Sequence, residues 1–115
     1  MQLAQPERPV VAVLGDGSLQ YTVQALWTAA HLRLPVTYVM VNNGGYGILK
    51  DLAAARDPKR MPAMDLPGID IPALARGYGV RAQRVTNLRV LARALRAPGA
   101  PEPRLIDIRA PARSA

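Results

Sequence analysis

Two glycine-rich turns carry the residues best suited to chemistry. The first is Gly15-Asp16-Gly17-Ser18, where one carboxylate sits between two glycines and a hydroxyl follows. The second is Asn42-Asn43-Gly44-Gly45-Tyr46-Gly47, which offers side-chain amide oxygens and backbone carbonyls. A carboxylate, an amide oxygen and a backbone carbonyl form a donor set for Mg²⁺. That ion takes six oxygens at about 2.0–2.1 Å and draws few of them from protein. The remaining positions would suit two phosphate oxygens and a water, so the pair of turns points to a metal-bridged diphosphate. The glycines allow close backbone approach, and Ser18 with the start of the following helix would supply donors to the phosphates. Asp16 tolerates burial in such a site because the cation neutralises it.

Other meanings of the same residues compete with this one. A dinucleotide fingerprint needs Gly-x-Gly-x-x-Gly, but Gln20 holds the third glycine position, and no acidic residue ends the second apolar run. A P-loop needs Gly-Lys-Ser/Thr, which is absent. Taken alone, Gly15-Asp16-Gly17 also reads as a tight turn in which Asp16 caps the next helix. The second turn, at a matching strand end, favours the metal site.

The elements around these turns alternate. Val10–Leu14 is a continuous β-branched run, as in a parallel strand buried on both faces. Leu19–Leu32 follows as a helix with Val23, Leu26, Trp27 and Ala30 at helical spacing, and Leu34-Pro35 stops it. Val36–Val41 is the second buried strand, and Ile48–Ala55 a short helix. Prolines at 58, 62, 67 and 72 make Asp57–Pro72 a loop. Further on, Ile71–Tyr78 is a helix closed by Gly77 or Gly79, and Val80–Arg84 is a brief strand. Asn87 caps the helix Leu88–Ala97, Pro98–Pro103 is a turn, and Arg104–Arg109 is the last strand. This order predicts an α/β fold, a parallel sheet with helices on both faces in three αβα layers. In such a sheet ligands lie beyond the carboxyl ends of the strands, where both turns fall.

Composition narrows the class. Half of the 115 residues are hydrophobic, so residues 1–115 make one globular domain, with 110–115 as a frayed tail. Cysteine is absent, which excludes disulfides, thiolate metal sites and a thiol nucleophile. No apolar run reaches the ~20 residues of a membrane helix, and Met1–Arg8 has no secretory pattern, so the expected compartment is the cytoplasm. The net charge is +7, and thirteen of the fifteen basic residues are arginine, scattered without a dense run. Arg89, Arg93 and Arg96 line one side of the Leu88–Ala97 helix, with Val90, Leu91, Ala94 and Leu95 on the other; a solvated face explains this, and a polyanion-binding face is the alternative. With no phenylalanine and few tyrosines, a stacking platform for nucleic acid is disfavoured. Trp27 is expected in the core, His31 in solvent, Asp65 and Asp70 as turn and cap residues, and Tyr78 as packing at a helix end.

The paired Gly-Asp-Gly-Ser and Asn-Asn motifs resemble the thiamine-diphosphate motif of the pyruvate decarboxylase and acetolactate synthase superfamily. Ala25-Leu26-Trp27-Thr28-Ala29-Ala30, Asn42-Asn43-Gly44-x-Tyr46-Gly47, Pro67-Gly68-Ile69-Asp70 and Gly77-Tyr78-Gly79-Val80 recur in order in benzoylformate decarboxylase-like members. The likeness runs from Glu7 to about Arg109 and implies the C-terminal pyrophosphate-binding domain, incomplete at its amino end. It implies thiamine diphosphate and Mg²⁺ as cofactors. Asp16, Asn43 and the Gly45 carbonyl would ligate the metal, and Gly15, Gly17, Ser18, Tyr46, Gly47 and Ile48 would contact the cofactor. Ile48 and Leu49 fall where relatives place residues beside the thiazolium and substrate, but Asp51 and Leu52 stand where relatives often carry aromatics. Many relatives also have a larger residue at Gly45, a change that would leave the carbonyl in place.

The implied reaction is decarboxylation of a 2-keto acid. No catalytic residue is expected in this chain: the family's catalytic glutamate belongs to a pyrimidine-binding domain of another chain or of a missing N-terminal part. A homo-oligomeric full-length enzyme is implied, with this chain inactive alone. A carboligase or oxidase of the same superfamily is one alternative, and a non-catalytic basic interaction protein is another.

Overall fold

The two β-branched runs form neighbouring strands, two more strands complete the sheet, and helices join them. The structure is a computed structural model describing residues 1–56, 63–97 and 101–111. Its elements are β1 (Val10–Gly15), α1 (Asp16–Gln20), α2 (Ala25–His31), β2 (Val36–Asn42), α3 (Gly47–Ala54), α4 (Ile71–Gly77), β3 (Arg81–Val85), α5 (Leu88–Arg96) and β4 (Arg104–Arg109). Expectations that fall on Pro58, Pro62, Pro98 and residues 112–115 lie outside the described residues. No described helix is long and apolar enough to cross a membrane.

All strands are parallel, in the order β1-β2-β4-β3. The chain passes from β1 to its neighbour β2, skips one position to β3, and returns through α5 to insert β4. Because crossovers are right-handed, reversing the direction of travel puts α5 on the face opposite the earlier helices. Leu19, Leu26, Met40, Ile71, Ala75, Val80 and Leu105 make the buried core under α1, α2 and α4. On the other face α5 crosses β3 and β4, anchored where Arg104 Nη1 donates to the Ala94 carbonyl at 3.0 Å. Asp70 caps α4 by accepting from Ala73 N–H at 3.1 Å, and Asn87 caps α5 by accepting from Val90 N–H at 3.0 Å.

Four expectations need correcting in detail. The single helix over Leu19–Leu32 is two helices, because residues 21–27 close tighter turns, such as Ala25 N–H to Thr22 O and Leu26 N–H to Val23 O. The β-branched pair Thr22-Val23 sits at the break. Trp27 is not in the core: it is 54% exposed and stacks on His31, with ring centroids 4.8 Å apart. Leu26 and Ala29 take the buried face of α2 instead. Val10–Leu14 is covered on one face only: α5 packs on β3 and β4 and does not reach over β1, which leaves Val11 and Val13 at 53% and 65% exposure. In α5 the expected arginine side divides, since Arg93 lines a cleft with Val90 and Ala94 while Arg89 and Arg96 do not, and no residue of the helix is fully buried.

Candidate functional site

Because β1 and β2 are neighbours in register, with Gly15 opposite Val41, their carboxyl ends deliver both glycine turns to one place. A cleft of ≈ 210 Å³ there is lined by Gly15, Asp16, Gly17, Ser18, Asn43, Gly45, Tyr46, Gly47 and Ile48, together with Val41. The structure thus brings together all nine residues expected to meet the cofactor. Leu49 is half-buried on α3 and is not among the lining residues. Ile48 stands at the rim, 70% exposed.

The first turn places a buried carboxylate. Gly15 is extended and Asp16 opens α1, 4% exposed. No hydrogen bond or ion pair reaches its carboxylate among the described residues; only its backbone carbonyl is used, by Gln20 Nε2 at 3.4 Å. The carboxylate lines the cleft and is engaged by nothing else among the described residues, so it is available to a cation from outside the chain.

Glycine is needed at the contact between the turns. A Cβ on Gly17 would lie 2.6 Å from Cδ1 of Tyr46, so the tyrosine ring packs directly over the first turn's backbone. One on Gly47 would lie 2.7 Å from Nδ2 of Asn43.

The second turn is shaped by its own asparagines. Asn42 Oδ1 accepts from Gly44 N–H and Asn43 Oδ1 from Gly45 N–H, each at 3.2 Å. Gly44 takes φ +76°, which suits glycine.

A third segment, unforeseen in the sequence, completes the site. Gly45 pairs with Asp65 in an antiparallel bridge, through Tyr46 N–H to Met64 O and Leu66 N–H to Gly44 O, both 2.9 Å. In this type of bridge the paired residue's own N–H and C=O point away from its partner. The Gly45 N–H accordingly meets Asn43 Oδ1, and the Gly45 carbonyl faces the same side with no hydrogen bond among the described residues. Asp65, expected only as a turn residue, also forms an ion pair with Lys50. Both side chains are largely solvated, so the pair adds little stability and the bridge holds the loop. No local signal in Ala63-Met64-Asp65-Leu66 announces this pairing.

The donor set fits a hard cation holding a diphosphate. No group of three or more His, Cys, Asp or Glu side chains gathers among the described residues. One carboxylate, one amide oxygen and one free carbonyl leave the majority of an octahedral shell to other oxygens. Larger clefts exist, including one of ≈ 710 Å³ beside α4, lined by Ile69, Ala73, Leu74 and Tyr78. Its lining also includes Gln20 and Asp70, but Gln20 bonds the Asp16 carbonyl and Asp70 is taken up by the α4 cap and Arg84, so chemistry and not size selects the strand-end site.

Comparison with known proteins agrees. Residues 1–108 match the family described as thiamine pyrophosphate enzyme, C-terminal TPP binding domain. A benzoylformate decarboxylase of Pseudomonas aeruginosa is 43% identical over 108 residues, which are 93% of this chain and 20% of that protein. An acetolactate synthase large subunit of Parasynechococcus marenigrum is 38% identical, over 93% of this chain and 18% of that one. Among solved structures, a thiamine diphosphate-dependent 4-hydroxybenzoylformate decarboxylase of Rhodococcus jostii superposes with a TM-score of 0.89 at 40% identity, covering 96% of this chain and 21% of that one. The chain therefore spans about a fifth of the length of these relatives. With the family matched along nearly its whole length and the fold shared, the chain belongs to the thiamine pyrophosphate enzymes, as their C-terminal cofactor-binding domain.

Proposed function

We propose that this chain holds the Mg²⁺-bridged diphosphate of thiamine diphosphate as the C-terminal part of a 2-keto acid decarboxylase of the benzoylformate decarboxylase type. The observation that carries the proposal is the buried, unpartnered Asp16 carboxylate beside the Asn43 amide and the free Gly45 carbonyl. Asp16, Asn43 and Gly45 would ligate the cation. Gly15, Gly17, Ser18, Tyr46 and Gly47 would meet the diphosphate, with close approach possible because no Cβ intervenes at the glycines. Ile48, exposed at the rim, would form part of the apolar wall beside the reacting end, with Leu49 behind it.

When bound, thiamine diphosphate supplies the electron sink that a 2-keto acid needs to lose CO₂. The chain's own residues bind and orient the diphosphate, and Asp16, Asn43 and Gly45 hold the cation that offsets its charge. The aminopyrimidine end must be held by a pyrimidine-binding domain outside this chain, in a cytoplasmic homo-oligomer. An acetolactate synthase type of carboligation is the second reading, supported by the 38% identity to that subunit. The two are separated by whether the full enzyme releases aldehyde or condenses two keto acids.

Thermal unfolding with thiamine diphosphate, with and without Mg²⁺, tests the binding assignment. At ~100 times the dissociation constant the ligand stabilises the fold by about 2.7 kcal/mol. The shift requires Mg²⁺ and disappears in Asp16→Ala. A shift that survives chelation or the substitution overturns the assignment, as does no shift in a folded protein.

A further inference from the structure

We propose that the cleft between α5 and the amino-terminal ends of β3 and β4 binds a phosphorylated small molecule, held by Arg81, Arg93 and Arg104. The cleft measures ≈ 480 Å³, within the usual range for small-molecule sites. Arg81 and Arg104 are the first residues of their strands, whereas Asp16 follows the last residue of β1. In a parallel sheet these are opposite ends, so this cleft is separate from the diphosphate site.

Its charge is unusual for a sheet. Arg81 and Arg104 are direct partners in the β3–β4 register, on strands about 4.8 Å apart. Like charges placed directly opposite one another destabilise a sheet unless something compensates them. Arg93, from the last turn of α5, adds a third cation to the same cleft. None of the three has a carboxylate partner among the described residues, where Arg33 pairs with Glu102 and Arg84 with Asp70 and Asp107.

Arg104 is also prepositioned. Its Nε donates to Thr37 Oγ1 at 2.9 Å and its Nη1 to the Ala94 carbonyl at 3.0 Å, which fixes the guanidinium and leaves Nη2 without a hydrogen bond among the described residues. Planar guanidinium forks match phosphate oxygens in bidentate fashion; Arg81 and Arg93 offer that fork and Arg104 its Nη2, and the three charges suit a group carrying two or more negative charges. Val90, Ala94 and Ile106 supply an apolar wall for the organic body of the ligand. A free inorganic anion would leave that wall unused, so a phosphate ester fits better than phosphate alone.

The test is titration calorimetry of the chain with ADP and with inorganic pyrophosphate, in EDTA so that the Asp16 site is silent. Saturable binding of both is expected, tighter for ADP. Arg81→Gln/Arg93→Gln weakens it by about tenfold or more, the effect of losing charge-assisted hydrogen bonds. Arg89→Gln/Arg96→Gln removes the same charge from the outer side of α5 and changes affinity by less than about threefold, as screened attraction would. Asp16→Ala has no effect. Should the double variant not fold, Arg93→Gln alone, at an exposed helix position, makes the comparison. Absence of saturable binding, or equal losses in the Arg89/Arg96 control, overturns the proposal.

Discussion

A Cβ added to Gly45 would come within 2.6 Å of the carbonyl oxygen of Met64. The loop at 63–66 therefore lies against the backbone of the proposed metal turn and is paired with it at Gly45. Reading position 45 as a pure carbonyl donor, indifferent to its side chain, does not hold in this chain. The clash is with backbone, which cannot swing aside as a side chain can. Gly45→Ala should cost about 1–3 kcal/mol of stability by overpacking. It should also weaken the Mg²⁺-dependent cofactor shift, because relief requires the turn to move. Melting curves with and without ligand check both, and an alanine variant that melts and binds like the parent would contradict the geometry.

Asp107 is fully buried, and Arg84 Nε donates to its Oδ2 at 2.9 Å while Oδ1 has no partner among the described residues. The same arginine reaches Asp70, the cap of α4, at 3.5 Å, so it ties β3 and β4 to the loop that precedes α4. The Asp107 hydrogen bond raises the Arg84 pKa above its ordinary value, with burial opposing. Removing the arginine strands a buried carboxylate. A loss of about 3–5 kcal/mol is typical for a fully buried pair, and solvent around the partly exposed Arg84 reduces that to roughly 2–3 kcal/mol for Arg84→Met. Replacing both, as Arg84→Met/Asp107→Leu, should recover most of the loss in urea unfolding. Recovery is expected because the penalty lies in the unpaired charge and not in the missing bond.

The parts legible in the sequence were local. Both glycine turns, the strands before them, the Asp70 and Asn87 caps and the stop at Leu34-Pro35 follow from residue types within a few positions of one another. What escaped is long-range. Nothing near Asp65 says that it faces Gly45, and nothing near Arg84 says that Asp107 lies beside it in register across β3 and β4. Trp27 escaped for another reason: helical spacing marks a face, but the apolar positions of α2 span more arc than the core covers. Leu26 and Ala29 fill the buried part, and Trp27 falls to the edge, where His31 one turn on covers its ring. Likewise β1 reads as doubly buried, while α5, packed on β3 and β4, leaves Val11 and Val13 open.

Tyr38 lies on β2, half-buried against the core, and burial raises its pKa above 10.0. A raised folded-state pKa means that the native state holds the proton more tightly than the unfolded chain. The resulting stability is fully present below pH 10 and is lost as pH rises through the folded-state value. Unfolding free energy should therefore fall above about pH 10, and Tyr38→Phe should flatten that fall while changing little at neutral pH. Denaturant midpoints measured from pH 8 to 11 decide this, and an unchanged alkaline slope in the phenylalanine variant would assign the loss elsewhere.

Asp16 supplies the carboxylate of the proposed metal site, and its side chain has no hydrogen bond or counter-charge among the described residues. Asp16→Asn keeps the shape and removes the charge. The carboxylate lines the cleft and ties no element of the chain to another, so the metal-free variant should stay within about 1 kcal/mol of the parent, the scale of a charge at a helix N-terminus. It should nevertheless lose the Mg²⁺-dependent response to thiamine diphosphate, since a neutral amide is a far weaker partner for a hard dication. A loss of response without a loss of stability separates this effect from general damage to the fold. Melting curves of parent and variant should nearly coincide in EDTA and separate with Mg²⁺ and cofactor, the parent melting higher. A variant much less stable than the parent in EDTA would mean that Asp16 supports the turn structurally, and its role as the cation's anchor would fall.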